Sequence, residues 1–133
     1  MGALNAIVQA LVGRAVDLPP QLAQQYPELN GARYRVGGLP PRIGGWSLGS
    51  STVSGITLWR TIWLERGDLM EAELLLHEIR HVQQFQASSS FPFLYIWESL
   101  RRGYHANRFE VDARRYASAR LVRSDANPST QDV

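Results

Sequence analysis

Apolar residues recur at the spacing of an amphipathic helix near the start of the chain. Residues 3–16 carry an apolar face made of Leu4, Ile7, Val8, Leu11 and Val12. This periodicity predicts one helix over the whole stretch, and the pair Pro19 and Pro20 ends it. A short helical turn is predicted next, over residues 21–26.

The middle of the chain changes to the alternation of apolar and polar residues that is typical of half-buried strands. Residues 33–36 alternate in this way, and short runs rich in Ile, Thr, Leu and Trp occupy residues 55–58 and 61–64. The Gly- and Pro-rich segment 37–50 between them is predicted to be loop or tight turns. The two later runs form either one strand or two strands joined by a bend at residues 59–60.

Helical spacing returns in the second half of the chain, where two of the three predicted helices have clear end signals. One helix is predicted to begin at Asp68, which has capping-box spacing to Glu71, and to end just beyond Phe85. The last helix is predicted to begin at Asn107 and to end near Val122.

A further helix is predicted between these two, over residues 91–102, with Gly103 as its end. One side of it carries the large apolar residues Phe93, Ile96, Trp97 and Leu100. We expect this side to pack against the helix that precedes it. The alternative is that the aromatic stretch docks a protein or lies at a membrane surface.

The length and composition fit one ordinary globular domain of 133 residues, with 44% hydrophobic and 20% charged residues. We expect a single α+β domain over residues 1–123. It has a helical part at 1–31, a β-rich part at 32–66 and a second helical part at 68–122. The polar tail, residues 124–133, is predicted to be disordered.

The basic residues bear on the choice of binding partners. All 14 basic residues are arginines, and seven of them fall between Arg101 and Arg123. Nucleic-acid binding is one interpretation, but Glu110 and Asp112 interrupt the run and no base-stacking motif accompanies it, so a solvated helix face is preferred.

The N-terminus is a poor secretory signal, and no apolar run approaches the ~20 residues of a membrane span. We therefore expect a cytoplasmic protein.

The motif that carries chemistry is HEIRH, which sets His77 and His81 four residues apart with Glu78 after the first histidine. On a helix, both imidazoles lie on one face and are able to bind one metal ion. Because the chain has no cysteine, the ligands must be histidines and carboxylates, which suits zinc. Glu78 is then the general base for a zinc-bound water. The alternative is two ordinary helical histidines, but the metalloprotease signature is preferred.

A catalytic zinc site needs a third protein ligand, and Glu110 is the best candidate. It shares a helix face with Ala113 and Ala117, whose small side chains would let the last helix approach the histidines closely. Two alternatives remain open. Glu110 has capping-box spacing to Asn107, so it is able to bind that backbone instead. His105 is the other candidate for the third ligand.

Tyr104 is a candidate for a further catalytic role. A phenol near the metal would donate a hydrogen bond to the oxyanion of a tetrahedral intermediate. The competing interpretation is that Tyr104 only packs between two helices.

In these residues the chain resembles the zincin-like metallopeptidases of the gluzincin type, which carry H-E-x-x-H on one helix and a glutamate as third ligand on a later helix. The chain is most similar to small bacterial zincin-like domains, some of them attached to toxins or contractile injection systems. The resemblance covers roughly residues 55–117. It rests on the run ITLWRTIWLERGDLMEAELLLHEIRHVQQF, on Gly103 and Tyr104, and on Asn107-x-x-Glu110-x-x-Ala113.

The resemblance implies a zincin-like fold, in which a small β-sheet packs on the histidine-bearing helix and further helices follow it. It also implies that an extended peptide pairs with the strand before that helix. Several gluzincin families have an aspartate four residues after the ligand glutamate, but here that position is Arg114. Support for the first histidine must then come from elsewhere, such as Asp112 or a backbone carbonyl.

Two functions therefore remain in view. The leading one is a zinc-dependent metallopeptidase that hydrolyses peptides or proteins. The alternative is a non-catalytic binding module that keeps a zincin core and its metal for structure or for partner recognition.

Overall fold

Four short strands form one mixed sheet in the computed structural model, which describes residues 2–40 and 54–125. The strands are β1 (Arg14–Val16), β2 (Arg33–Val36), β3 (Gly55–Leu58) and β4 (Thr61–Leu64). Their order across the sheet is β1-β2-β4-β3, with β2 parallel to β4 and the two outer pairs antiparallel. Of the two alternatives left open for residues 55–64, the structure has two strands, joined at Trp59 and Arg60.

Five α-helices accompany this sheet in the described residues. They are α1 (Gly2–Val12), α2 (Pro20–Gln25), α3 (Ala72–Ala87), α4 (Phe91–Ala106) and α5 (Arg108–Asp125). Short 3-10 helices occupy Pro27–Gly31 and Gly67–Leu69. The predicted α+β class is therefore confirmed. No helix in the described ranges is long and apolar enough to cross a membrane.

The core lies between the sheet and α3, and the alternation within the strands explains how it forms. Tyr34 and Val36 on β2 and Ile62 and Leu64 on β4 all point inward, because alternate residues of a strand face the same side. They meet the buried face of α3, which consists of Leu75, Leu76, Ile79 and Val82. On its other side α3 packs against α5. The histidine-bearing helix is thus held between the sheet and α5.

The single helix predicted over residues 3–16 is wrong in its last turn. The helix ends at Val12, and Arg14–Val16 form strand β1, which pairs with β2. Gly13 makes the change of direction, with a positive φ of 71°. A Cβ atom at Gly13 would lie 2.5 Å from the Val36 carbonyl oxygen, so no larger residue fits there.

The predicted start of the histidine-bearing helix at Asp68 is also wrong. Asp68 belongs to a short 3-10 helix and pairs with Arg66, while α3 begins at Ala72 after Glu71. The Glu71 side chain makes no capping hydrogen bond. The predicted end of the helix, just beyond Phe85, is confirmed.

The expected packing of the apolar side of α4 is contradicted. Phe93, Ile96, Trp97 and Leu100 are between 58% and 78% exposed. The residues that α4 buries are Phe91 and Glu98, which lie two turns apart on a different side of the helix. The helix has apolar residues on more than one side, so periodicity alone did not identify the buried one. Gly103 does break the helix, as predicted, with a φ of 78°.

The start of α5 agrees with the sequence. Asn107 accepts a hydrogen bond from the Phe109 N–H at 2.9 Å and so caps the helix. The helix continues to Asp125, three residues beyond the predicted end, so residues 124 and 125 are helical rather than part of a disordered tail. The rest of the predicted tail, and most of the predicted loop 37–50, lie outside the described residues.

Candidate metal centre

The two histidines of the motif lie on the side of α3 that faces α5. His77 and His81 are one helical turn apart, and their ring centroids are 5.0 Å from each other. His81 is buried and His77 is partly buried. The spacing predicted from HEIRH therefore does bring both imidazoles to one place.

Close packing of α5 brings a carboxylate to the same place. Ala113 and Ala117 are both buried against α3, so the two helices approach without large side chains between them. Glu110 lies one turn earlier on this face. Its Oε2 is 2.8 Å from His77 Nε2, and its Oε1 is 3.1 Å from His81 Nε2.

This geometry separates the alternatives for the third ligand. One nitrogen from each histidine and one oxygen of Glu110 all lie within 4.8 Å of one another. The Glu110 carboxylate is engaged with the histidines, while the Asn107 N–H donates to the Tyr104 carbonyl instead of to Glu110. His105 is exposed and lies outside the group.

The ionisable groups of His81 and Glu110 shift each other's pKa values. Burial alone would raise the pKa of the Glu110 carboxyl, but hydrogen bonds with His77, His81 and Tyr95 hold that pKa well below its usual range. Burial alone would lower the pKa of His81, but its hydrogen bond with Glu110 and the charges of Glu78 and Glu110 raise that pKa to about 9. The site therefore stabilises positive charge, and protons and a metal cation would compete for it.

The donor set fits zinc. Two imidazole nitrogens and one carboxylate oxygen are the three ligands of one common class of catalytic zinc site, and the fourth position is left for water. The hydrogen bonds around His81 also favour metal binding. Gln84 donates its amide N–H groups to the Phe109 carbonyl and to Asp112, so its Oε1 must accept the 2.7 Å hydrogen bond from His81 Nδ1–H. A neutral His81 then presents the Nε2 lone pair to the site.

Asp112 was a candidate to support the first histidine, His77, but in the structure it supports the second one, His81, through Gln84. It holds Gln84, and it also accepts a 2.7 Å hydrogen bond from the Arg80 Nε. Because Arg80 is so close, the pKa of the Asp112 carboxyl is lowered. Arg114, which stands where an aspartate was expected, donates to the His105 carbonyl and takes no part in holding a histidine.

Glu78 is buried beside the triad and is held by strand β3. The Thr57 hydroxyl donates a 2.6 Å hydrogen bond to Glu78 Oε2. Gly55 leaves room for the same carboxylate, since a Cβ atom there would lie 3.3 Å from Glu78 Oε1. The candidate general base is therefore fixed in place by two residues of the neighbouring strand.

Two tyrosines lie near the candidate ligands. The Tyr95 hydroxyl donates a 2.6 Å hydrogen bond to Glu110 Oε1. Tyr104 follows the break at Gly103 and lines the same cavity as Glu78 and Glu110. Burial, followed by the negative charges of Glu110 and Glu78, raises the pKa of the Tyr104 phenol, which keeps it protonated and able to donate.

An apolar cavity of about 240 Å³ opens beside the triad. It lies between β3 and α4, and its lining includes Glu78, His81, Tyr104 and Glu110. Among the described strands, β3 is at the edge of the sheet on this side. The strand directly before α3 is β4, which lies inside the sheet, so the expectation that this strand forms the edge is wrong.

Several arginines of the C-terminal half pair with carboxylates. Arg102 and Arg108 both lie near Glu98, and Arg120 binds Glu28 at 2.7 Å. These pairs leave less free positive charge on α4 and α5 than the count of arginines suggests.

Three supporting residues were missed in the sequence: Thr57, Gln84 and Tyr95. Gln84 had a usable signal, because it lies three residues after His81 on the same helix and is therefore its neighbour. The other two are far from the motif in sequence, and only the tertiary structure brings them to it.

No protein-family model matches this chain, and comparisons with curated proteins and with solved structures give no significant match.

Proposed function

We propose that the protein is a zinc-dependent peptidase. The observation that carries the proposal is the position of Glu110 on α5, within hydrogen-bonding distance of the Nε2 atoms of both His77 and His81. A buried carboxylate joined to two imidazoles of an H-E-x-x-H helix is the ligand set of a catalytic zinc site.

His77, His81 and Glu110 would hold the ion. Bound there, zinc would polarise the scissile carbonyl of the substrate and lower the pKa of a water molecule. Glu78 takes the proton of that water as the general base and later passes it to the leaving amine. The hydrogen bond from Thr57 fixes the Glu78 carboxylate, so the base is oriented before substrate arrives.

The tyrosines have separate roles in this proposal. Tyr104 is the donor to the developing oxyanion, because its phenol is protonated and lines the cavity beside Glu78. Tyr95 instead holds Glu110 through its 2.6 Å hydrogen bond and so positions a ligand.

Strand β3 supplies the contact with substrate. Among the described strands it is the edge strand next to the triad, and an extended peptide is able to add to such an edge through backbone hydrogen bonds. This arrangement favours unfolded chains or flexible segments as substrates, since their backbone groups are free to pair.

The first test is the zinc content of the purified protein, measured by elemental analysis. We expect about one zinc per chain, lost in Glu110→Ala and retained in the matched control His105→Ala. Equal zinc in both variants would refute Glu110 as a ligand. No zinc in the wild type, even after zinc is added, would refute the metal site itself.

Activity is tested separately with Glu78→Gln, which removes the base but is nearly isosteric. We expect zinc content to be unchanged and peptide hydrolysis to fall at least ~100-fold. An exposed glutamate on the same helix, Glu73, provides the control Glu73→Gln, which should keep full activity.

A non-catalytic binding module is the second candidate, favoured by the exposed apolar side of α4. In that case the zinc-loaded protein would cleave nothing in a broad peptide library, and Glu78→Gln would change neither zinc content nor partner binding.

A further inference from the structure

We propose that the apolar cavity beside the triad binds one large apolar side chain of the substrate, next to the scissile bond. This inference rests on the proposed peptidase function and adds to it the class of peptide that the site prefers.

The lining of the cavity is the first argument. Its walls away from the triad are almost entirely apolar and comprise Ile56, Leu58, Phe85, Phe91, Pro92 and Ile96. Burying an apolar side chain against such walls is favourable in proportion to the area removed from water. The volume of about 240 Å³ is below the ~300–1,000 Å³ of typical small-molecule sites, so it suits a single side chain better than a whole ligand.

The position of the cavity is the second argument. β3 forms one wall, and β3 is also the edge that would pair with an extended peptide. Alternate side chains of a paired peptide point to the same side. One of them would enter the cavity while the neighbouring peptide bond lies at the triad, because His81 and Glu110 line the same cavity.

The charges around the cavity are the third argument. Its ionisable lining groups are Glu78, His81, Tyr95, Tyr104 and Glu110, and the two carboxylates are hydrogen-bonded, Glu78 to Thr57 and Glu110 to the histidines. An acidic substrate side chain would find no arginine among the described lining residues to pair with. A charged side chain of either sign would also lose its water against the apolar walls.

Ile96 is the residue that best tests the size of the cavity. It lines the cavity, yet 58% of it is exposed, so substitutions there should not unfold the protein. Phe93, on the same helix and 76% exposed, is outside the lining and provides the matched control.

The experiment profiles the zinc-loaded protein on a peptide library with every residue type at each position around the cut. We expect a ~10–100-fold preference for Leu, Phe or Met at one position adjacent to the cut, over Ala and over acidic residues. Ile96→Trp should shift this preference to smaller residues, and Phe93→Ala should leave it unchanged. Cleavage with no preference, or a preference for charged residues, would overturn the inference while leaving the peptidase proposal intact.

A binding measurement covers the case in which no peptide is cleaved, an outcome that would count against the proposed activity. Zinc-loaded Glu78→Gln is titrated with amino-acid hydroxamates carrying Leu, Ala or Asp side chains, and calorimetry reports the affinities. We expect the Leu compound to bind ~10-fold or more tightly than the Ala compound, with the difference reduced in Ile96→Trp. Equal affinities for the three compounds would overturn the inference independently of turnover.

Discussion

Helices α4 and α5 both contact the histidine-bearing helix α3, but they do so in opposite ways. α5 presents small residues, Ala113 and Ala117, and lies close enough to insert Glu110 between the histidines. α4 buries Phe91 and otherwise turns large apolar side chains outward. The small residues of α5 therefore predicted a contact with α3 better than the large apolar residues of α4 did. Two helices approach closely only where the side chains between them are small.

The strongest way to test this contrast is to remove one aromatic ring from each side of α4. Phe91 is 3% exposed and packs edge-on against the rings of Phe85 and Phe109, so Phe91→Ala should lower the free energy of unfolding by about 3–5 kcal/mol. Phe93→Ala, on the exposed side, should change it by less than about 0.5 kcal/mol. Urea denaturation measures both values, and similar losses for the two variants would mean that the outer side is also buried.

The contact between α3 and α5 is tested by enlarging a small residue. Ala113→Leu forces extra volume into a fully buried site and should cost about 1–3 kcal/mol of stability, together with a loss of zinc affinity as Glu110 moves away. Ala119→Leu, at an exposed position of the same helix, is the control and should affect neither quantity. Unchanged zinc affinity in Ala113→Leu would show that the position of Glu110 does not depend on this contact.

The inner side of α4 also supports the metal ligand, and this is tested with Tyr95→Phe. Loss of the hydroxyl removes one hydrogen bond from Glu110, so we expect zinc affinity to fall about tenfold. The ring stays in place, and the fold should be retained. A competition assay with a zinc chelator measures the change, and an unaltered affinity would assign Tyr95 a packing role only.

The smallest expected effect concerns the ion pair between α3 and α5. Arg80 lowers the pKa of Asp112 in the folded protein. The ionised Asp112 carboxylate therefore stabilises the fold at pH values above the pKa that this carboxyl has in the unfolded chain. This stabilisation is lost as the pH falls through the lower pKa of the folded state. Both side chains are more than a third exposed, so the effect is small. In the presence of a chelator, the melting temperature of the wild type should exceed that of Asp112→Asn at about pH 7. The difference should shrink as the pH falls through the folded-state pKa of Asp112, which lies below the ordinary aspartate pKa, and a difference that grows at acidic pH would contradict this assignment.

Local patterns in the sequence were enough for strands β2, β3 and β4, for the end of α3 and for the cap of α5. They also identified the three candidate metal ligands, because HEIRH and the small residues after Glu110 depend only on helical spacing. Residues 14–16 read as helix because their apolar residues continue the spacing of α1. Only the pairing with β2 makes them a strand.

The orientation of α4 and the support of the site were beyond local patterns. More than one side of α4 carries apolar residues, and the choice between them depends on where α3 and α5 lie. Thr57 precedes Glu78 by 21 residues and Tyr95 precedes Glu110 by 15, so these hydrogen bonds exist only once the tertiary fold has formed.

Among the described strands β3 lies at the edge of the sheet, and this has a consequence for handling the protein as well as for substrate binding. An edge strand that accepts an extended peptide also accepts the edge of another copy, and such pairing is a common start of aggregation. β3 has only four residues and carries no charged side chain to discourage this contact. Concentrated preparations should therefore remain monodisperse for longer when a tight-binding peptide covers that edge, and light scattering over time would measure the protection.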